Sequence, residues 1–106
     1  MLTSTMIVMN RQLFYTGKFE KDLKKVRKQP KYNEKLLWSL LDSIARGEAL
    51  DPKYNDHKLA KHSDRGLNDC RDFHLAPNIV VVYRLTNTNM ELVRIGSHSD
   101  LFEELV

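Results

Sequence analysis

Three histidines in this 106-residue chain are the residues best suited to acid–base chemistry. Imidazole titrates close to neutral pH, so a histidine can take or give a proton without a strongly altered environment. His57, His74 and His98 each follow a strand or turn signal, whereas the fourth histidine, His62, lies in a polar stretch and needs no role. Two such groups, with an arginine to hold a phosphate, are sufficient for RNA cleavage by the neighbouring 2′-hydroxyl, and that reaction requires no metal ion.

Other interpretations of these residues stay open. The histidines are equally explained as scattered surface or turn residues. Zinc binding is a further interpretation, although no pair has the close spacing of a zinc motif and Cys70 is the only cysteine. Asp72 is either a solvated strand residue or a partner that orients His74. Arg71 and Arg94 equally suit salt bridges within a sheet.

Composition restricts the class of protein. Hydrophobic residues make up 42% and charged residues 29% of the chain, which is ordinary for one folded domain. The longest apolar run, residues 79–83, is far shorter than the roughly 20 residues that span a bilayer, and no signal-peptide pattern precedes it. The lone cysteine excludes an intrachain disulfide. We therefore expect a single cytoplasmic domain over residues 1–106 with no membrane partner.

Positive charge is concentrated in one block. The net charge is +3, but residues 18–35 hold eight lysines and arginines against three acids, a net charge of +5 that leaves −2 for the remainder. A basic block on a small domain suggests a polyanionic partner such as RNA or DNA. A solvated, lysine-rich helix face explains the same block equally well.

Two amphipathic helices follow a first strand over residues 11–15. Thr16 is suited to cap the first helix and Pro30 ends it, whereas Asn33 caps the second and Gly47 terminates it. Apolar residues recur at helical spacing in both segments, as Phe19, Leu23 and Val26 and then as Leu37, Leu40, Leu41 and Ile44.

The second half of the chain changes to a period of two. Residues 49–66 are polar and predict a long loop, and three strands follow over residues 67–75, 79–85 and 90–96. In the first of these strands, Cys70, Asp72 and His74 share one face. The order β-α-α-β-β-β predicts an α+β domain in which two N-terminal helices pack on one face of a small, mainly antiparallel four-stranded sheet and the other face stays open.

The C-terminal residues complete this arrangement. Asp100 and Glu103 form an Asp-x-x-Glu box that predicts a short C-terminal helical turn. Phe102 is either a hydrophobic cover on the sheet or an aromatic ring that stacks on a base. Because consecutive strands usually neighbour each other, we expect His74 and His98 to meet on one side of the sheet.

Several segments together resemble the YafQ-like branch of the RelE toxin superfamily, from residue 11 onward. The segments are Phe19-Glu20-Lys21-Asp22-Leu23, Asp56-His57, Cys70-Arg71-Asp72-Phe73-His74-Leu75-Ala76-Pro77, Val81-Val82-Tyr83-Arg84-Leu85 and Leu92-Val93-Arg94-Ile95-Gly96-Ser97-His98-Ser99-Asp100-Leu101-Phe102. The resemblance implies a type II toxin, an mRNA endonuclease that acts on the ribosome without a cofactor or metal and is neutralised by a cognate antitoxin.

The resemblance also implies roles for individual residues. Catalytic roles fall on His57, Asp72, His74, His98 and Phe102. RNA-binding roles fall on Arg71, Asn78 and Arg94, of which Arg94 occupies a position suited to hold the scissile phosphate. We expect His98 to be one member of the acid–base pair and His57 or His74 to be the other, with the direction of proton transfer left open.

Three departures from the pattern bear on these expectations. Asn78 stands where relatives commonly have an acid, and an amide cannot act as a base at neutral pH. The loop between His57 and Arg71 is longer than usual, and residues 1–9 form an N-terminal extension in which Met9 is an alternative start. Two functions therefore remain beside the nuclease, namely a non-enzymatic inhibitor of the RelE/ParE fold, as the ParE-like gyrase poisons are, and an inactivated toxin that acts by binding.

Overall fold

The computed structural model describes residues 11–59, 67 and 69–103. Its elements are β1 (Gln12–Tyr15), α1 (Gly17–Val26), α2 (Glu34–Ala45), β2 (His57–Lys58), β3 (Cys70–Ala76), β4 (Ile79–Leu85) and β5 (Asn89–Gly96). A 3₁₀ turn at Pro52–Tyr54 and a π-helical turn at Ser99–Glu103 complete the described chain. None of the helices in these ranges is long and apolar enough to cross a membrane.

Three of the four helix ends are set by the residues that the sequence predicts, whereas α1 ends at Val26, before Pro30. The Thr16 hydroxyl accepts a hydrogen bond from the Phe19 amide (3.0 Å), and the Asn33 side chain accepts one from the Leu36 amide (3.0 Å). Each cap satisfies an amide that has no partner within the helix. Gly47, with a φ of 84°, follows α2 in the left-handed region that glycine adopts without strain. The two predicted N-caps and the glycine terminator are therefore confirmed.

The sheet has five strands in the order β1-β5-β4-β3-β2. β1 pairs with β5 in parallel, and the other three pairs are antiparallel. The α+β class is confirmed, but the four-stranded count is wrong, because β2 lies inside the segment predicted to be a loop. β2 has only two residues, with His57 opposite Asp72 and Lys58 opposite Arg71. A strand of two residues is too short to show the alternation of side chains that identifies a strand in a sequence.

One face of the sheet, called the helix face here, packs against α1 and α2. Its side chains are apolar and fully buried or nearly so: Phe73, Leu75, Ile79, Val81, Tyr83, Leu92 and Ile95. They form one core with the apolar stripes of the two helices, including Phe19, Leu23 and Leu41. Burial of these side chains supplies the main driving force for folding.

The other face, called the histidine face here, carries Cys70, Asp72 and His74 of β3 as the alternation predicts. The expectation that this face stays open is wrong for part of it. A second apolar cluster covers it, in which Leu101 and Phe102 of the C-terminal turn pack with Leu67, Cys70, Val80 and Val82. The chain after β5 folds back because it still carries apolar side chains that burial stabilises.

The C-terminal turn is confirmed, but it begins earlier than its acidic box predicts. Its helical residues start at Ser99, before Asp100. The Ser97 hydroxyl accepts a hydrogen bond from the Asp100 amide, and the Ser97 carbonyl accepts one from the Leu101 amide, both at 3.0 Å. Ser97 is therefore the residue that starts the turn, directly before His98.

Candidate active site

Three imidazoles and one carboxylate meet on the histidine face. His57 of β2 lies opposite Asp72 of β3, and its Nε2 is 3.5 Å from Asp72 Oδ1. His74 is two residues further along β3 on the same face, and its ring centroid lies 6.4 Å from that of His98. The His98 ring in turn packs edge-on against Phe102, with centroids 4.9 Å apart. The expected meeting of His74 and His98 is confirmed, and His57 joins them through Asp72.

Asp72 is the buried centre of this group. Its side chain is only 4% exposed, whereas the His57 side chain is 46% exposed. Burial raises the pKa of the Asp72 carboxyl above its ordinary value of 3.8, and the nearby charges of His57, His74 and His98 oppose that rise. A carboxyl that senses all three imidazoles couples their protonation states to its own.

The hydrogen bonds of His57 determine which of its nitrogens faces Asp72. His57 Nδ1 lies 2.6 Å from the carbonyl oxygen of Asn55, a residue in the left-handed region with a φ of 52°. A carbonyl oxygen can only accept, so Nδ1 carries a hydrogen and donates it. Nε2 then faces the Asp72 carboxyl, and the two atoms attract each other only when one of them holds a proton. The arrangement therefore places the Nε2 of His57 next to the buried Asp72 carboxyl.

Arg94, which the resemblance assigns to the scissile phosphate, lies near the end of β5. Its Nε donates to Asp22 Oδ2 over 2.7 Å, and its Nη2 donates to Asp22 Oδ1 over 3.1 Å. The guanidinium therefore has a carboxylate partner on α1, an interaction that sequence spacing does not reveal.

Arg71 points away from the imidazoles because it alternates with Asp72 along β3. Its Nε donates to Asp56 Oδ1 and to the Tyr83 hydroxyl, each over 3.3 Å. The Tyr83 hydroxyl also donates to Asp56 Oδ1 over 2.6 Å. Burial and the hydrogen bond to Asp56 raise the pKa of Tyr83 well above its ordinary value, so the phenol stays protonated and donates. These three side chains anchor Asp56, the residue before His57.

Asn78 occupies the turn between β3 and β4 and is exposed. It lines a cavity of about 350 Å³ together with Gln29, Pro30 and Lys31 of the connection between α1 and α2. The structure therefore brings the basic helical segment next to this turn. His62 lies outside the described residues.

Two anchoring groups were not predicted from the sequence, the Asp22 carboxylate and the pair formed by Asp56 and Tyr83. Both aspartates belong to segments that carry the family resemblance, Phe19-Glu20-Lys21-Asp22-Leu23 and Asp56-His57. That membership is the only signal that singles them out, because each has its partner 15 or more residues away.

The two helices and the mixed sheet have the fold of toxins from type II toxin–antitoxin systems. Residues 11–103 match the family described as bacterial toxin of type II toxin–antitoxin system, YafQ, and the chain belongs to that family. The mRNA interferase toxin YafQ of Escherichia coli strain B / BL21-DE3 is 33% identical over 95 residues, which cover 90% of this chain and 99% of that protein.

Solved structures agree with this assignment. A metal-bound toxin from Helicobacter pylori is 40% identical with a TM-score of 0.74, over 87% of this chain and 99% of that one. YafQ in the E. coli DinJ–YafQ complex is 30% identical with a TM-score of 0.74, over 88% of this chain and 99% of that one.

The metal-bound relative raises the question of a metal in this chain. Among the residues that the structure describes, no group of three or more histidine, cysteine, aspartate or glutamate side chains is arranged to hold a metal ion. The described imidazoles and Asp72 therefore do not fit a metal centre in this conformation.

Proposed function

We propose that this protein is a single-domain, ribosome-dependent endoribonuclease that cleaves mRNA in the cytoplasm. The observation that supports the proposal most strongly is the convergence of His57, His74 and His98 around Asp72. The E. coli relatives, 32–33% identical, are named mRNA interferase toxins. The reaction proposed is attack of the 2′-hydroxyl on the neighbouring phosphate, without metal or cofactor.

The proposed reaction requires two proton transfers, each made by a different group of the site. One group removes the proton from the 2′-hydroxyl as its oxygen bonds to phosphorus. A second group gives a proton to the departing 5′-oxygen as the phosphorus–oxygen bond breaks. The products are a 2′,3′-cyclic phosphate and a 5′-hydroxyl. His98 is proposed as one member of the pair, and His57 or His74 as the other.

The remaining residues are assigned to holding the site or the RNA. Phe102 is buried and packs edge-on against His98, so its proposed contribution is to hold the His98 ring and not to stack on a base. Arg94 is assigned to the charge that develops on the phosphate, and Asn78 to hydrogen bonds near it. Arg71 was expected to bind RNA directly, but its contacts with Asp56 and Tyr83 favour an indirect contribution through the His57 segment.

Two partners follow from the proposal. The lysine-rich residues 18–35 are assigned to ribosomal RNA, which makes association dependent on salt. A co-encoded antitoxin is proposed because an E. coli structure similar to this chain is a complex of YafQ with DinJ. An acidic antitoxin segment would complement the same basic block.

The proposal is tested with purified ribosomes and a defined mRNA, by primer extension and analysis of the cut ends. We expect cutting only on ribosomes, insensitivity to a chelator, and 2′,3′-cyclic phosphate ends. An mRNA with one 2′-deoxynucleotide at the cut site should remain intact, because the attacking oxygen is missing. Cutting of that RNA at the same position would overturn the proposed reaction.

The alternatives give different results in the same set of assays. A ParE-like inhibitor would leave mRNA intact and trap gyrase in a DNA topology assay. An inactivated toxin, which Asn78 alone favours, would do neither and would not slow growth when expressed without its antitoxin.

A further inference from the structure

The Arg94 guanidinium is fixed by a partly buried ion pair before any RNA is present. Asp22 accepts one hydrogen bond on each of its carboxylate oxygens, from Arg94 Nε (2.7 Å) and Nη2 (3.1 Å). The two side chains are only 15% and 17% exposed. Two parallel hydrogen bonds to a planar guanidinium set its orientation as well as its position, and solvent screens such a pair weakly.

Asp22 also accepts a hydrogen bond from the β5 backbone, beyond the point where β1 stops pairing with that strand. β1 pairs with β5 only as far as Leu92. Beyond it, the Thr16 hydroxyl donates to the Val93 carbonyl (2.8 Å), and the Ile95 amide donates to Asp22 Oδ2 (3.2 Å). The start of α1 thus continues the edge pairing that β1 leaves unfinished and satisfies backbone groups that would otherwise need partners.

β5 is irregular at this point, which increases the need for such an anchor. Its register with β4 shifts between Val82 and Tyr83, so that Leu92 lies opposite Tyr83 and Arg94 lies opposite Val82. A bulge of this kind changes the direction of the side chains that follow it. Arg94 comes directly after the extra residue, and Asp22 is the group that fixes where its guanidinium goes.

We propose that Asp22 is a positioning residue for RNA cleavage and that it acts through the Arg94 guanidinium. The inference rests on the proposed function, in which Arg94 stabilises charge on the phosphate. A donor that is already oriented needs no reorganisation when that charge develops, so its contribution to the rate is larger. Asp22 itself contacts Arg94 and the Ile95 amide and is not assigned a contact with RNA.

This role also gives a reason for the aspartate within residues 19–23, the helix segment that carries the family resemblance. Phe19 and Leu23 of that segment are buried in the core under the helix face. Asp22 has no place in that core, and its carboxylate instead reaches the strand that leads to Ser97 and His98. The segment therefore serves both the packing of α1 and the proposed site.

The test measures cleavage on purified ribosomes by the wild type and by Asp22→Asn. Asparagine has nearly the same shape and can still accept from the Ile95 amide, but it loses the charge and one acceptor for Arg94. We expect the cleavage rate at saturating ribosome concentration to fall by about 10- to 100-fold, with little change in the concentration that gives half the maximal rate.

The same substitution in an Arg94→Lys background separates an effect on the position of Arg94 from an effect on folding. Lysine keeps the charge but lacks the planar fork, so Asp22 can no longer orient it. In that background, Asp22→Asn should cause no further loss, because both changes remove the same contribution. Equal fold-losses in the two backgrounds would overturn the inference, since Asp22 would then act independently of Arg94.

Glu91→Gln is the matched control. Glu91 of β5 forms an ion pair with Arg84 of β4, with Nη1–Oε1 at 2.6 Å, and both side chains are more exposed than those of Asp22 and Arg94. It lies outside the residues assigned to catalysis or RNA binding, so this variant should cleave like the wild type. Full activity of a folded Asp22→Asn protein would overturn the inference alone, whereas a wild type that does not cut would overturn the proposed function on which it rests.

Discussion

The two faces of the sheet bury different kinds of side chain, although both are made by the same strands. The helix face buries apolar residues in a core with α1 and α2. The histidine face buries the Asp72 side chain, which is 4% exposed, beside the smaller apolar cluster of the C-terminal turn. Burial of a charged group costs free energy, whereas burial of an apolar group stabilises the fold. The comparison indicates that one face maintains the fold and the other carries the proposed chemistry.

Neighbouring residues illustrate how local this division is. Asp72 and Phe73 are consecutive in β3 and both buried, yet they lie on opposite faces. Because side chains alternate along a strand, a register shift by one residue would exchange the two sets. The deep core behind Phe73 excludes that exchange, so packing on the helix face also determines where the imidazoles point.

The largest expected effect on the histidine face is that of His98→Gln. If His98 is a member of the acid–base pair, cleavage on ribosomes should slow by about 10²- to 10⁴-fold. Stability should change by no more than about 0.5 kcal/mol, because the side chain is exposed. Primer extension measures the first quantity and urea unfolding the second. Full cleavage by the folded variant would remove His98 from the mechanism.

The opposite behaviour is expected on the helix face. Phe73→Ala should lower the free energy of unfolding by about 3–5 kcal/mol, since it leaves a cavity beside the Tyr83 ring, 6.0 Å away between centroids. His74→Gln, at the next position of β3 but on the other face, should cost about 0.5 kcal/mol or less. Urea unfolding of both variants makes the comparison. Equal losses at the two positions would mean that the faces do not divide as described.

Periodicity is sufficient to predict most of the fold. The caps Thr16 and Asn33, the apolar stripes of both helices and the three C-terminal strands follow from contacts between residues close in sequence. β2 was missed because its two residues are defined by pairing with β3 and not by a local pattern. The cover over the histidine face was predicted only as one of two alternatives for Phe102, because it depends on where Leu101 and Phe102 fold back.

The candidate site, like the fold, could be predicted only in part from the sequence. The shared face of Asp72 and His74 follows from strand alternation, and the meeting of His74 with His98 follows from the usual adjacency of consecutive strands. The partners of Arg94 and Arg71 depend on long-range packing, 72 residues apart in the case of Asp22 and Arg94. No spacing rule relates residues so distant, so only coordinates identify these pairs.

Tyr83→Phe tests the hydrogen bonds that the Tyr83 hydroxyl makes with Asp56 and Arg71. The variant keeps the buried ring but loses the hydroxyl that donates to Asp56 over 2.6 Å. Removal of one partner from a part-buried hydrogen bond should lower the free energy of unfolding by about 1–2 kcal/mol. A smaller fall in cleavage should accompany it, because Asp56 precedes His57. Tyr15→Phe, at an exposed tyrosine of β1, is a matched control that leaves this network intact. Unchanged stability in Tyr83→Phe would show that the network does not anchor Asp56.

The smallest expected effect concerns the pH dependence of stability and the burial of Asp72. Its folded-state pKa is raised by burial, so the ionised carboxylate is less stable in the folded chain than in the unfolded one. Stability that is fully present below pH 4 is then lost as pH rises through the folded-state pKa. Asp72→Asn cannot ionise and should not show this loss.

The free energy of unfolding of Asp72→Asn, relative to that of the wild type, should therefore increase between pH 3.5 and pH 7. The increase is expected to be small, since the charges of His57, His74 and His98 offset part of the cost of burial. Urea midpoints across this range measure it, with Glu20→Gln on the exposed side of α1 as a control for the loss of one negative charge. A relative stability that falls with pH would mean that the imidazoles stabilise the Asp72 carboxylate more than burial destabilises it. The histidine face would then resemble the helix face in favouring the fold.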